Sequence, residues 1–138
     1  MKRRNFLMAA AMATVLPMAA LANDTMVQYE DGLVKERLAA GETVFIEVGT
    51  DWCTTCASQK RTIAALRDDN AAYDEAITFV YMDWDIYKSS DLATELGIPR
   101  RSTLVALSGD AELGRIVAGT SRSDIQALMD TALSAATS

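Results

Sequence analysis

The 138-residue sequence predicts an α/β fold built on a mixed β-sheet in a single domain. Three observations carry that prediction. Apolar, β-branched runs alternate with segments of helical periodicity, which implies parallel strands joined by crossovers. The last two strand-like runs are separated only by Ser108-Gly109-Asp110, a turn signal that implies an antiparallel hairpin. Half of the residues are hydrophobic and only two are proline, a composition that favours a packed core over disorder.

Taken in order, the chain opens on a leader. Lys2-Arg3-Arg4 form a basic start, Phe6 to Leu16 are mostly apolar, and Ala20-Leu21-Ala22 fits a small-x-small cleavage pattern. Residues 1–22 therefore read as a cleavable export signal, with the domain in residues 23–138. Arg3-Arg4-Asn5-Phe6-Leu7 is similar to a twin-arginine signal, although Lys2 stands where Ser or Thr is usual; an ordinary secretory signal fits equally well. The apolar run is too short and too alanine-rich to span a bilayer, so no stable membrane insertion is expected.

Within the domain, Met26 to Tyr29 is either a short edge strand or the lead-in to a helix. Asp31 offers an N-cap for a helix carrying Leu33, Val34 and Leu38, and Gly41 suits the position just past its end. Thr43 to Val48 is the central strand. A second helix begins near Cys53, with Ile63 and Leu66 on its apolar face and Gln59, Lys60, Arg61 and Arg67 on others. The polar stretch from Asp68 to Glu75 should break or bend it. Ile77 to Met82 is a second apolar strand, ending in Asp83-Trp84-Asp85. Ser89 or Ser90 can cap a short helix through Leu96, stopped by Gly97. Thr103 to Leu107 and Leu113 to Ala118 form the hairpin. Ser121, with Asp124 three residues on, starts a terminal helix whose apolar face holds Ile125, Leu128, Met129, Ala132 and Leu133.

The chemistry concentrates where the central strand releases the second helix, at Trp52-Cys53-Thr54-Thr55-Cys56. That placement sets Cys53 at a helix N-terminus, where unpaired N–H groups and the dipole favour a thiolate, the reactive form. Cys56, one turn on, can reach back to close a disulfide. A zinc site normally needs further ligands, yet these are the only two cysteines and there is no histidine. A disulfide closing so small a loop adds little stability through chain entropy, so redox chemistry explains the pair better than a structural role.

The strand–Trp-Cys-x-x-Cys–helix pattern, with the element order over nearly the whole mature chain, resembles the thioredoxin family. That resemblance implies a three-layer α/β/α sandwich and thiol–disulfide exchange without a bound cofactor. It assigns Cys53 as the more exposed, attacking nucleophile and Cys56 as the resolving thiol, with Trp52 shielding the site beside Thr54 and Thr55. Glu47 falls where the family carries a buried Asp that moves protons for the resolving thiol. A carboxylate within Val-Phe-Ile-x-Val would be desolvated and its pKa raised, which suits a general base; a structural ion pair or a solvent-facing carboxylate is the alternative. The family's usual Lys on the next strand is replaced by Tyr81. Loop spacing puts Ser102 where the family has a cis-Pro followed by Thr, here Thr103, unless Pro99 is the counterpart. A cis bond before a non-proline costs about 2.5–4 kcal/mol, so a trans Arg101–Ser102 bond is expected. Arg100 and Arg101 sit in the same loop, where they stabilise the Cys53 thiolate or attract an acidic partner, or are solvated and do neither. Gly119 matches a glycine lining the family's substrate groove.

The leader would remove three basic residues and no acidic ones, leaving a domain more acidic than the −6 of the whole chain. That charge argues against nucleic acid as a partner. Export places the pair in a disulfide-permissive compartment, the periplasm, where the expected partners are disulfide-containing exported proteins and a membrane-bound thiol electron donor. Thr54-Thr55 is neither the Gly-Pro of reducing thioredoxins nor the Pro-His of the strong periplasmic oxidant, and a reductase is the favoured direction. A second reading is a metal or iron–sulfur module, Cys53 and Cys56 of two copies sharing the metal, enabled by Ser102 in place of the cis-Pro.

Overall fold

The computed structural model describes residues 25–138, so the leader and its cleavage site lie outside the described residues. A short edge strand, β1 (Val27–Gln28), precedes helix α1 (Leu33–Ala39), the central strand β2 (Thr43–Gly49) and the long helix α2 (Thr54–Asp69). Helix α3 (Ala72–Ala76) leads into β3 (Ile77–Asp83), followed by α4 (Trp84–Tyr87) and α5 (Asp91–Glu95). The hairpin β4 (Thr103–Ser108) and β5 (Ala111–Val117) then leads to α6 (Arg122–Thr137). The sheet order is β1-β3-β2-β4-β5, with β1, β3 and β2 mutually parallel and β4 antiparallel to both of its neighbours, β2 and β5. This is the expected mixed sheet, and β2 lies at its centre.

Strand alternation divides the core. Val44, Ile46 and Val48 of β2 pack with Val34, Leu92 and Ala93 on the side of α1 and α5. Phe45 packs with Ile63, Leu66, Tyr73, Ile125 and Met129 on the side of α2, α3 and α6. The sheet is thus sandwiched between helical layers. Glu47 shares the parity of Phe45, so it faces the α2 layer, where Cys56 lies.

Several element ends differ from expectation for local reasons. The N-cap of α1 is Gly32, at φ 89° and without a side-chain cap, so Asp31 does not serve. Gly41 does follow the helix at φ 88°, its N–H bonding the Leu38 carbonyl, a left-handed position suited to glycine. Helix α2 stops where Asn70 turns extended. Ser90 caps α5 and Ser121 caps α6 through their side-chain oxygens. Two residues expected on polar faces of α2 are buried. Arg67 lies 4.4 Å over the Phe79 ring, pairs with Asp74 at 2.6 Å and donates to the Thr25 carbonyl; Gln59 belongs to the site itself. No helix among the described residues is long and apolar enough to cross a membrane.

Candidate active site

Strand β2 is buried along its whole length and ends at Gly49, next to the turn that presents the thiols. A Cβ on Gly49 would lie 3.2 Å from the Tyr81 ring and 3.3 Å from Cys56 Cβ, so glycine lets the helix start close against the sheet. Cys53 is the N-cap of α2, with extended backbone, and its Sγ accepts the Cys56 N–H at 3.2 Å. Cys53 and Cys56 are joined as a disulfide, their Cα atoms 5.3 Å apart. Both are buried, at 6% and 3% exposure, so Cys53 is the more exposed by only a small margin.

Trp52 stands outside, 62% exposed, donating from Nε1 to Asp85 Oδ2 at 2.8 Å. The Arg101 guanidinium lies 4.4 Å over its ring, a cation–π contact that fixes the indole as a flap beside the disulfide. Arg100 is exposed, its Nε donating to the Arg101 carbonyl. Thr54 is exposed and Thr55 half-buried in the first turn of α2. Thr103, expected to line the site, is fully buried: its Oγ1 donates to the Arg100 carbonyl at 2.7 Å and its backbone pairs with β2 and β5. Its side chain thus braces the loop before β4.

Ser102, and not the exposed Pro99, faces the thiol pair. Its Oγ lies 3.2 Å from Cys53 Sγ and 3.1 Å from Cys56 Sγ. No peptide bond among the described residues is cis; the loop instead turns with Ser102 at φ 62° and Ala118 at φ 61°. A left-handed conformation at a residue other than glycine costs about 1–2 kcal/mol, and hydrogen bonds hold it. Ser102 N–H donates to the Val48 carbonyl at 2.7 Å, a bond no proline could make, and the Ser102 carbonyl accepts from Ala118 N–H at 2.8 Å.

Gln59, which sequence reasoning placed on a polar face, completes this arrangement. Fully buried, its Nε2 donates to the Ser102 carbonyl at 3.0 Å and to the Gly119 carbonyl at 2.9 Å. It ties α2 to the loops before β4 and after β5. Gly119 fits the crossing because a Cβ there would lie 2.8 Å from Ile116 Cγ2. Gln59→Leu removes both of these hydrogen bonds, each worth about 0.5–1.5 kcal/mol net, and should cost about 1–3 kcal/mol. Denaturant titration measures this, and a change within about 0.5 kcal/mol, typical of a surface site, would show that the loops hold without it.

Glu47 is 1% exposed, in register with Tyr81 on one side and Leu104 on the other. A cavity of about 120 Å³ is shared by Glu47, Asp51, Cys56, Lys60 and Tyr81. The Tyr81 hydroxyl is pushed up to about 12 by burial first, then by Asp83, Asp51 and Glu47, so it stays neutral. Lys60 reaches over its ring at 5.8 Å, supplying a cation beside the cavity from α2 where the resemblance would place one on β3. Among the described residues no group of three or more His, Cys, Asp or Glu side chains could hold a metal ion, so the metal-module reading gains no support.

No family model and no curated protein matches this chain. Solved structures do. The chain is similar to Trxlp from Edwardsiella tarda, with 24% identity over 75% of this chain and 98% of that one, at a TM-score of 0.65. Against thioredoxin from Malassezia sympodialis the values are 20% identity, 86% and 99% coverage, and a TM-score of 0.66. Against thioredoxin f from spinach chloroplast they are 20%, 80% and 88%, and 0.63. At these identities the likeness establishes the fold, which is that of thioredoxin.

Proposed function

We propose that this chain is a thiol–disulfide oxidoreductase acting on disulfide-containing exported proteins, more as reductase than as oxidant. The observation that carries the reading is the Cys53–Cys56 disulfide at the start of α2, with a buried carboxyl sharing a cavity with Cys56. In the reducing direction the Cys53 thiolate attacks a substrate disulfide, forming a mixed disulfide and expelling one substrate thiolate. Cys56, deprotonated, then attacks Cys53 Sγ and expels the second. Two electrons pass from the protein to the substrate, whose thiolates take up two protons. Glu47 accepts the Cys56 proton through a water in the cavity, which exceeds the space one water needs.

The basic-apolar-small pattern of residues 1–22 supports export to the periplasm, by either signal type. An exported reductase needs an external dithiol, here a membrane-bound donor, because that compartment is kept oxidising. Trp52, beside the pair, should report its oxidation state by fluorescence during titration against a thiol–disulfide buffer. On a scale where thioredoxin lies near −270 mV and the strongest periplasmic oxidant near −120 mV, a midpoint below about −230 mV is expected. A midpoint at the oxidant end would reverse the direction. Thiols that do not cycle would overturn the function.

A further inference from the structure

We propose that Ser102 is a catalytic residue whose single hydroxyl proton serves both sulfurs in turn. The inference rests on the thiol–disulfide reading and deepens it. Ser102 is fully buried, and its Oγ is nearly equidistant from the two sulfurs, at 3.2 Å and 3.1 Å. In the disulfide neither sulfur carries hydrogen, so the hydroxyl must be the donor. Its hydrogen turns about the Cβ–Oγ bond while the oxygen stays in place.

The consequence follows the negative charge through the cycle. In the dithiol state the Cys53 thiolate accepts the Cys56 N–H, as Cys53 Sγ does here, and the Ser102 O–H. Once Cys53 is bonded to a substrate sulfur, charge builds on Cys56 during resolution, and the same proton turns to it. Hydrogen bonds to an ionised acceptor are roughly twice as strong as neutral ones, so the hydroxyl favours the thiolates over the disulfide. No bond to Ser102 forms or breaks and no electron passes through it. The left-handed backbone fits this role: φ 62° is unfavourable for serine, yet two backbone bonds and Gln59 hold the residue there, which aims the hydroxyl at both sulfurs.

Glycine accepts φ 62° freely, so Ser102→Gly removes the hydroxyl and relieves the backbone together. In a Cys56→Ala background, where Cys53 alone titrates, Ser102→Gly and Ser102→Ala should each raise the Cys53 pKa by about one unit. Thiolate absorbance and alkylation rate against pH read this directly. With both cysteines present, the dithiol–disulfide equilibrium should move about tenfold towards the disulfide, a potential about 30 mV more negative. Ser102→Thr, which keeps a hydroxyl at some cost in folding, should return the pKa towards wild type. A Gly variant at least as stable as wild type but with the raised pKa supports a chemical role. Unchanged pKa and potential in the Gly and Ala variants would overturn it. If the unsubstituted pair reduces no protein disulfide, the reductase reading fails while the pKa comparison still decides the role of Ser102.

Discussion

Cys56→Ala is expected to accumulate a covalent adduct with substrate, while Cys53→Ala is expected to abolish disulfide reduction without forming one. The asymmetry follows from the helix start. Cys53 is the N-cap, and its sulfur accepts the Cys56 N–H at the positive end of α2, where a thiolate is favoured. Cys56 sits inside the first turn, less exposed, against Gly49 and the Glu47 cavity. An incoming disulfide therefore meets Cys53 first, and only Cys56 stands within reach to resolve the product. Mass spectrometry of the Cys56→Ala protein mixed with an oxidised substrate should show one substrate per chain, released by dithiothreitol. Adducts on Cys53→Ala, or normal turnover by Cys56→Ala, would reverse or refute these roles. Neither substitution should unfold the protein, because a disulfide closing so short a loop adds little chain-entropy stabilisation.

The fold was legible because each level of the sequence agreed with the next. β-branched runs gave the strands, Ser90 and Ser121 gave two helix starts, and Gly41 and Gly109 fell where the backbone turns left-handed. Where expectation failed, local backbone geometry or a buried partner had overruled residue type. Asp31 has the chemistry of an N-cap, yet the chain enters α1 through Gly32 at a positive φ that glycine tolerates best. Gln59 and Arg67 are polar and so are expected on outer faces, but each finds partners inside, Gln59 the Ser102 and Gly119 carbonyls and Arg67 Asp74 and the Thr25 carbonyl. The spacing held a signal: Gln59 falls one turn after Cys56 and one before Ile63, on the buried face of α2. Only the distant carbonyls of Ser102 and Gly119 explain why that position is an amide.

The loop before β4 shows the same limit from the other side. The family's loop spacing pointed to Ser102 and the cost of a cis bond before a non-proline to a trans peptide; the bond is trans and Ser102 faces the thiols. Nothing in the local sequence, however, indicated that its oxygen would sit between two sulfurs. That placement depends on the Val48 carbonyl from β2 and the Ala118 N–H beyond β5, partners distant from the loop in sequence. Arg101 was expected either to act on the Cys53 thiolate or to stay in solvent, and the structure sets it over the Trp52 ring.

Glu47→Gln should leave attack by Cys53 near its wild-type rate and slow resolution by Cys56 about 100-fold, the lower range for general acid–base catalysis. The substitution keeps the shape of the side chain within β2 and removes its ability to take a proton. Stopped-flow fluorescence from Trp52, with quenched samples to follow the mixed disulfide, separates the two steps. Glu47 shares its cavity with Cys56 and not with Cys53, so the loss should fall on the second step alone. Tyr81 cannot substitute as the base, since it holds its proton to about pH 12. Equal resolution rates in the two proteins would remove Glu47 from the mechanism. A slowed first step would instead mean that the carboxyl acts on Cys53, against the geometry that places its cavity at Cys56.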